Sequence, residues 1–434
     1  MSHIFISHSA KDFDALLEIH EALRTASIPD WYVTDKEDRG AANTAIDDAF
    51  AMLVLTSAGA VRSKAVRQDI ERARERGIKI IPYQIDKARM SGFFKKEIQP
   101  LLRLSSTMPD GIKQLVGEVQ AAYKKKCPVI AVMNLKGGVG KTTVSAQVFG
   151  AWQALLGGRV LLVDLDPQYN LTQTFFEMES ADASARNDRS VISLFERSRI
   201  HGKGAQSPAE NWKSLSVEPF AAPTKGALAH DLLAGDGPIG KLHLISGQFE
   251  ISKYAFATDA NALQQVKANF MRMVDHYRSE YDLIIFDTNP NATFLTRCVL
   301  EAADRVVAPM HADVYSLRGV RLLNQIITEH IDADKCPALS VLFNTVGRSE
   351  ESTFEGDARN GTYDDLAGFK LSKALLKSAL PKSRHLMVKA AEEDTAPWHQ
   401  LVIHKGRGGG LKAIRESLKT ISIELNGLIA DRRS

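Results

Sequence analysis

A glycine-rich segment offers the clearest chemistry in the chain. Residues 136–143 read KGGVGKTT, and they follow the apolar run VIAVM at 129–133 and precede a plausible helix. Glycines let the backbone fold around a phosphate with several N–H groups turned inward. The Lys141 ammonium can neutralise the β and γ oxygens, and the Thr142 hydroxyl can bind Mg²⁺. The pattern therefore predicts a strand, a phosphate loop and a helix that bind a nucleoside triphosphate.

Two residues distinguish this loop from the generic phosphate-loop pattern. Leu135 stands where that pattern has a glycine, and Lys136 adds a second lysine at the mouth of the loop. An ordinary solvated lysine is the alternative interpretation of Lys136. The predicted nucleotide-binding residues of the loop are Lys136, Gly137, Gly138, Val139, Gly140, Lys141, Thr142 and Thr143.

Aspartates at the ends of apolar runs complete the predicted site. Asp287 follows the run LIIF at 283–286, and a carboxylate at the carboxyl end of a strand faces the phosphate crevice, where it can hold Mg²⁺ through water. An N-cap or turn aspartate is the alternative. Asp166 is the residue predicted to orient the attacking water. Asp164 competes with it for that role and is also a candidate for the magnesium site.

The composition is that of an ordinary soluble protein. The chain has 434 residues, 44% hydrophobic and 25% charged, and this length suggests two or three domains. A net charge of +3 requires neither a nucleic-acid nor a membrane partner. The three cysteines form no CxxC pair, which argues against a zinc site and against disulfides. Since we find no secretory leader and no apolar run of about 18 residues, we expect a cytoplasmic protein.

Two α/β segments meet at a lysine-rich stretch, where we place the domain boundary. The first, 1–122, alternates short apolar runs with helical patterns, which predicts a small parallel sheet. A linker follows at 123–128, and 129–434 repeats the rhythm with longer strands, which predicts a larger doubly wound sheet. Within it, 177–241 is polar and weakly periodic and is expected to be an irregular insertion or a mobile surface region. Predicted strands cover 4–6, 31–33, 52–55, 78–81, 159–163, 283–286, 305–309 and 339–343, and predicted helices cover 13–25 and 64–76.

Further motifs follow the phosphate loop: VDLDPQ at 163–168, YDLIIFDT at 281–288, ADRVVAP at 303–309, and Asn344 after VLF. With these motifs the second segment resembles the ParA/MinD family of deviant-Walker ATPases. The resemblance implies that ATP and Mg²⁺ bind, that Asn344 contacts the base, and that Lys136 reaches the phosphates held by a partner subunit. ATP would then join two copies, and positive charge would reach the phosphates only on assembly, as with an arginine finger.

Relatives of this kind use the dimer on DNA or on a membrane. Apolar residues recur at helical spacing through 411–429, and this pattern is more typical of a core helix than of a membrane-binding helix. We therefore expect no membrane contact. Non-specific DNA is a candidate partner, with a solvated surface as the alternative. The basic residues concerned are Lys382, Arg384, Lys389, Lys405, Arg407 and Lys412.

Short blocks of the first segment read IFISHS at 4–9, LVLTS at 53–57 and IIP at 80–82. In these blocks the segment resembles a TIR domain, which implies a flavodoxin-like parallel sheet. Many bacterial TIR domains cleave NAD with a glutamate on the helix before the IIP strand, and here Asp69 holds that position. Aspartate has a shorter stem, and a carboxylate that must reach the sugar tolerates little misplacement, so a non-catalytic assembly domain is the alternative. The residues expected to line an NAD pocket are Phe5, Ser7, His8 and Trp31, with core packing as the alternative for Phe5 and Trp31.

The two resemblances together predict an ATP-dependent homodimer that controls contacts between TIR domains. TIR families imply a role in bacterial antiviral defence, and the output would be NAD cleavage or an assembly that recruits a partner protein. The alternative is an ATPase that positions cargo on DNA, with the TIR domain as a protein-interaction module.

Overall fold

The chain divides into two compact units, Met1–Lys126 with Ile429–Ser434, and Cys127–Leu428. The second unit begins slightly before the predicted start at 129. Lys389, Arg407 and the linker residues 123–126 lie outside the described part of the chain. The computed structural model describes residues 3–26, 28–34, 39–47, 49–76, 78–122, 127–202, 204–223, 226–234, 241–333, 335–345, 350–386, 391, 395–405 and 410–430.

Five strands in the described part of the first unit form one parallel sheet, in the order β2-β1-β3-β4-β5. The strands are β1 His3–Ser7, β2 Asp30–Tyr32, β3 Ala49–Thr56, β4 Lys79–Gln84 and β5 Leu104–Ser105. The helices are α1 Phe13–Thr25, α2 Arg39–Asp47, α3 Ala58–Arg62, α4 Lys64–Glu75, α5 Gly92–Glu97 and α6 Gly111–Ala122, with short 3-10 turns at Ala10–Asp12 and Gln99–Leu101. The small parallel sheet is therefore confirmed.

The sheet of the first unit has an apolar cluster on each face. Ile4 and Ile6 pack in one cluster and Phe5 in the other, because successive side chains of a strand point to opposite faces. Helix α4 begins at the N-cap Ser63, whose hydroxyl accepts a hydrogen bond from the Val66 N–H. Its buried face consists of Val66, Asp69, Ile70 and Ala73. Asp69 is the one carboxyl group in that set, so the helix places a polar side chain against the sheet.

Seven described strands form the sheet of the second unit, in the order β12-β11-β6-β10-β7-β9-β8. All pairs are parallel except β8 with β9. The strands are β6 Val129–Val132, β7 Arg159–Asp164, β8 His230–Asp231, β9 Lys241–Ile245, β10 Leu283–Asp287, β11 Arg305–Met310 and β12 Ala338–Phe343. The larger doubly wound sheet is confirmed.

Helices flank this sheet and connect its strands. They are α7 Lys141–Thr143, which continues through a π-helical turn at Val144–Val148 into α8 Phe149–Leu156, then α9 Asn170–Phe175, α10 Met178–Arg186, α11 Ala260–Glu280, α12 Phe294–Ala302, α13 Val314–His330, α14 Glu350–Arg359, α15 Asp364–Ala367, α16 Leu371–Ala374 and α17 Leu411–Ala430. Short 3-10 helices lie at Val191–Leu194, Arg199–His201, Pro208–Glu210, Phe249–Ala255, Arg384–Leu386, Pro397–Gln400 and Val402–His404.

The segment predicted as an insertion at 177–241 is packed into the second unit. It is irregular, as expected, but Val191, Ile192 and Phe195 are fully buried and belong to the main core. An ion pair fixes it further, since the Lys253 Nζ lies 2.7 Å from the Glu196 Oε1 and both side chains are buried. Of the two alternatives for this segment, its buried residues favour an irregular insertion packed on the core over a mobile surface region.

Helix α17 confirms the prediction of a core helix. Leu411, Ile414, Leu418, Ile421 and Leu425 are buried, as expected for an apolar stripe at helical spacing. In the described part of the chain, no helix combines the length and the apolar character needed to cross a bilayer.

Candidate nucleotide site

The phosphate loop connects β6 to α7 and is shaped by two glycines with positive φ. Gly138 has φ of 75° and Gly140 has φ of 88°, a backbone conformation that costs little for glycine alone. Gly140 also has no room for a side chain, because a Cβ there would overlap the Asn344 amide. A Cβ on Gly137 or Gly138 would meet nothing within 4 Å, so at these two positions space does not require glycine.

Asp287 lies at the end of β10, where it accepts two hydrogen bonds from the helix after the loop. The Thr142 Oγ1 donates at 2.9 Å and the Ser145 Oγ donates at 2.7 Å. Burial raises the pKa of Asp287 to about 7, although the Ser145 and Thr142 hydroxyls oppose the shift. The structure thus brings Thr142 and Asp287 together, as a magnesium site requires.

Asp164 lies at the end of β7, next to β10, and is fully buried. Its Oδ2 accepts hydrogen bonds from both the N–H and the hydroxyl of Thr172, at 2.8 and 2.7 Å. Burial, together with the charge of Asp287, raises the pKa of Asp164 well above its ordinary value. Gly247 closes the site on this side, because a Cβ there would lie 2.9 Å from the Asp164 Cγ.

Asp166 is also placed at this end of the sheet. It is 8% exposed, its N–H donates to the Asp164 Oδ1 at 3.2 Å, and its Oδ1 accepts from the Gln168 N–H at 2.9 Å. Among the described residues, no three His, Cys, Asp or Glu side chains could hold a metal ion together. Hydroxyl, phosphate and water ligands would therefore have to complete a magnesium shell, which fits the ion's preference for keeping waters and phosphate oxygens.

The two lysines of the loop differ in their surroundings. Lys141 is buried, and its Nζ donates to the Lys136 carbonyl at 3.3 Å. Burial lowers the pKa of Lys141, while Asp287 and Asp166 oppose the shift. Lys136 instead points to α13, where its Nζ lies 3.1 Å from the Asp313 Oδ1 and 3.2 Å from the Ser316 Oγ. Both members of the Lys136–Asp313 pair are about one-third exposed, at 32% and 36%.

Asn344 lies after β12 with its side chain against the phosphate loop. Its Nδ2 donates to the Val139 carbonyl at 2.8 Å, and the residue is 2% exposed. The predicted base contact stays a prediction, and the structure adds that Asn344 supports the loop from behind.

Four residues of this site were not predicted: Ser145, Thr172, Gly247 and Asp313. Ser145 lies three residues after Thr142, so helical spacing could have placed both hydroxyls on the same carboxylate. Asp313 precedes an apolar-periodic helix, which is an N-cap signal, and its side chain accepts from the Ser316 N–H at 2.7 Å. The sequence gives no sign that this cap also binds Lys136.

In the first unit, Ser7 and Asp69 come together at the carboxyl end of β1. The Ser7 Oγ donates to the Asp69 Oδ2 at 2.7 Å, and both residues are buried. His8 is partly buried, with its ring nitrogens 3.0 Å from the Ser9 carbonyl and 3.2 Å from the Val33 carbonyl.

The aromatic residues predicted for the NAD pocket form a stacked pair. Phe5 is fully buried, and its ring is stacked on Trp31 with centroids 5.3 Å apart. Phe5 therefore packs in the apolar core, which favours the core alternative for it, whereas Trp31 is partly exposed. The NAD-binding role of these residues stays a prediction.

Known proteins with similar sequences match the two units separately. A TIR-domain family model matches residues 4–116, and an AAA-domain family model matches 127–341. The sporulation initiation inhibitor protein Soj of Bacillus subtilis is 32% identical over 215 residues, which cover 48% of this chain and 68% of that protein. The chain belongs to the Soj/ParA family of ATPases. The chromosome-partitioning ATPase Soj of Thermus thermophilus is 30% identical over 214 residues, which cover 49% of this chain and 66% of that relative.

The fold of this Soj/ParA-family ATPase agrees with a solved relative. The structure of pNOB8 ParA is 21% identical, with a TM-score of 0.52, and the match covers 70% of this chain and 99% of the pNOB8 chain. The predicted resemblance to a ParA-like ATPase with an N-terminal TIR domain is confirmed. The part of the chain before residue 127 has its own family match to a TIR domain.

Proposed function

We propose that this protein binds and hydrolyses Mg-ATP, that ATP joins two copies of the chain, and that the dimer brings TIR domains together. The observation that carries the proposal is the position of Lys136. It lies at the mouth of a complete phosphate loop, and its partly exposed ammonium is held by a single carboxylate, Asp313. An ammonium in that place can exchange this carboxylate for the phosphates of a second copy.

Each residue of the site has a separate role in the proposal. The backbone N–H groups of the loop and Lys141 bind the phosphates. Thr142 and Asp287 would hold Mg²⁺, which would neutralise charge on the phosphates. Asp166 orients the attacking water, because a carboxylate can accept its proton. Lys136 of the other copy stabilises charge that develops on the phosphates.

Sedimentation of the purified protein with ATP, ADP or no nucleotide tests the dimer. We expect the wild-type protein to dimerise when ATP and Mg²⁺ are present, and to stay monomeric with ADP or without nucleotide. Lys141→Ala should bind no nucleotide, Lys136→Ala should bind ATP as a monomer, and Asp166→Ala should remain dimeric because hydrolysis is blocked. Normal ATP-dependent dimerisation of Lys136→Ala would contradict the role given to this lysine.

We also propose that the TIR domain supplies the output, either by cleaving NAD through Asp69 or by assembling and recruiting a partner protein, in bacterial antiviral defence. The Ser7–Asp69 hydrogen bond supports the first form, because it holds a carboxylate in a fixed orientation at the end of β1. The second form needs no chemistry from Asp69, and the NAD measurement described in the Discussion separates the two.

A second candidate function is the positioning of cargo on DNA. Membership of the Soj/ParA family favours it, since one relative is a chromosome-partitioning ATPase. Lys382, Arg384 and Lys412 are exposed and could contact phosphates. The test is binding to a non-specific DNA duplex, which should require ATP and weaken steeply with salt. DNA binding of equal strength without ATP would contradict an ATP-controlled role on DNA.

A further inference from the structure

Helix α13 presents an unusual set of side chains to solvent. Val314 is 37% exposed, Tyr315 71% and Leu322 49%, and Arg318 lies exposed between the last two. Tyr315, Arg318 and Leu322 are spaced three and four residues apart, so they follow one stripe along the helix. Tyrosine and arginine are the residue types that most often anchor protein interfaces. We call these three residues the α13 stripe.

The α13 stripe is held at a fixed position relative to the phosphate loop. Gly319 packs on the strand-to-loop junction, where a Cβ would overlap the Asn134 Oδ1 and lie 3.1 Å from the Lys136 N. Asn134 cannot move aside easily, because it is fully buried, donates to the Pro309 carbonyl and accepts from the Lys136 N–H. A protein that binds the α13 stripe would therefore lie next to Lys136.

The nearest of these side chains to the loop is Tyr315. Its ring centroid lies 5.8 Å from the Lys136 Nζ and 5.7 Å from the Arg318 Cζ, so the exposed ring is within cation–π distance of two cations. If Lys136 reaches into a second copy, a ring at this distance from its ammonium must lie at the contact between the copies.

We propose that the α13 stripe contacts the second copy in the ATP-bound dimer, with Tyr315 as its anchor. This inference rests on the proposed ATP-dependent dimer. A two-fold contact places the same patch of both copies at one interface. Lys136, Arg318 and Arg321 bring three cations to this patch, and Asp313 is paired with the first of them, which disfavours contact between two copies without nucleotide. The negative phosphates of two ATP molecules offset these cations, which explains why the contact would need ATP.

The test compares Tyr315→Ala with wild type and with Phe256→Ala, by sedimentation with ATP and Mg²⁺. Phe256 is a matched control because it is a 77% exposed aromatic residue that follows the 3-10 helix Phe249–Ala255, outside α13. We expect Tyr315→Ala to weaken dimerisation about tenfold or more and to bind a fluorescent ATP analogue as the wild-type monomer does. Tyr315→Phe and Phe256→Ala should dimerise normally, and Leu322→Asp should weaken the dimer as Tyr315→Ala does.

The outcomes separate this inference from the dimer on which it rests. A wild type that stays monomeric with ATP contradicts the proposed function itself. A dimerising wild type with equally dimeric Tyr315→Ala and Leu322→Asp variants overturns the inference and leaves the proposed function in place. If Tyr315→Ala dimerises normally but loses NAD turnover, the stripe would bind a different protein partner. This result also overturns the inference. Unchanged thermal unfolding of the variants shows that they are folded.

Discussion

At the residue scale, Lys136 has two competing partners for one ammonium group. In this structure it pairs with Asp313, whereas the proposed dimer needs it at the phosphates of the other copy. Burial opposes ionisation of Asp313, but the Ser316 N–H and Lys136 lower its pKa overall, so the carboxylate is charged and holds the lysine. Breaking the Lys136–Asp313 ion pair would therefore be part of the free-energy cost of forming the proposed dimer.

Asp313→Ser should make the ATP-dependent dimer tighter, by about twofold to tenfold. The ion pair is partly exposed and is worth only about 0–1 kcal/mol, and serine replaces aspartate as an N-cap with little loss. Sedimentation equilibrium at low and high salt measures the effect, which should shrink as salt screens the wild-type pair. Asp313→Ala is the comparison that also removes the cap. A weaker dimer in Asp313→Ser would mean that Asp313 itself contacts the second copy.

The magnesium site should be sensitive to pH, because burial raises the pKa of Asp287 to about 7. Below pH 7 a proton competes with Mg²⁺, so the apparent Mg²⁺ affinity should fall by about tenfold per pH unit. Without Mg²⁺, the folded state binds a proton on Asp287 more tightly than the unfolded state does. The free energy of unfolding should therefore decrease as pH rises from about 4 to about 7. Calorimetry of Mg-ATP binding between pH 6 and 8 tests this, with Asp287→Asn as control. An affinity that does not change with pH would contradict it.

Sequence alone predicted the residues of this site that belong to a local pattern. Lys141 and Thr142 lie within one loop, and Asp287 ends an apolar strand. It did not predict that Ser145 and Asp287, 142 residues apart, share a hydrogen bond, or that Lys136 and Asp313 do so over 177 residues. Such pairs depend on which strands are neighbours and how closely helices pack on them, and no local pattern encodes that.

At the element scale, α13 approaches the loop so closely that one helical position must be glycine. Gly319→Ala should destabilise the protein by about 1–3 kcal/mol, because the added methyl overlaps the immobile Asn134, and it should also weaken ATP binding. Gly356→Ala in α14 is the matched control, since a Cβ there meets nothing within 4 Å, and it should be neutral or slightly stabilising. Urea unfolding of both variants checks this. Equal stability of the two would show that α13 can shift.

The segment at 177–241 is irregular but packed against the core, and its buried ion pair offers a test of that packing. Glu196 also accepts from the Tyr254 hydroxyl at 2.8 Å and from the Ser216 N–H at 2.6 Å. Lys253→Met should cost about 3–5 kcal/mol because it leaves a buried carboxylate without its cation. Lys253→Met combined with Glu196→Gln should recover much of the loss. A single variant as stable as wild type in urea would show that the segment is not fixed to the core.

The polar composition of residues 177–241 did not indicate that part of this segment packs into the core. A few apolar residues, Val191, Ile192, Leu194 and Phe195, enter the core, and their short run was outweighed by the surrounding Ser, Gly and Pro residues. Strand β9 was missed because it begins at the end of that stretch. The long strands and helices were predicted more closely, and α1 matches the predicted 13–25, because a sustained period is a strong signal.

At the scale of the whole molecule, the question is whether ATP controls chemistry in the TIR domain. If Asp69 is a working carboxylate, NAD turnover should need ATP and Mg²⁺, disappear in Asp69→Ala and persist in Asp166→Ala, whose dimer is trapped. Ser7→Ala should reduce turnover while it leaves ATP hydrolysis unchanged, since Ser7 fixes the Asp69 carboxylate. High-performance liquid chromatography of the nucleotide products measures each case. No turnover in any state, with ATP hydrolysis intact, would favour TIR assembly without chemistry.

The contact between Lys136 and Asp313 is present once in every chain, so the proposed dimer would have to break it twice. Its free energy therefore enters the apparent dimer affinity doubly, as when only a fraction of each partner is competent to bind. Because the dimer population rises with the square of chain concentration while monomers dominate, this weak ion pair would raise the copy number below which TIR domains stay apart. A cell could cross that threshold by making more chains, whereas a substitution of Asp313 would shift the threshold itself.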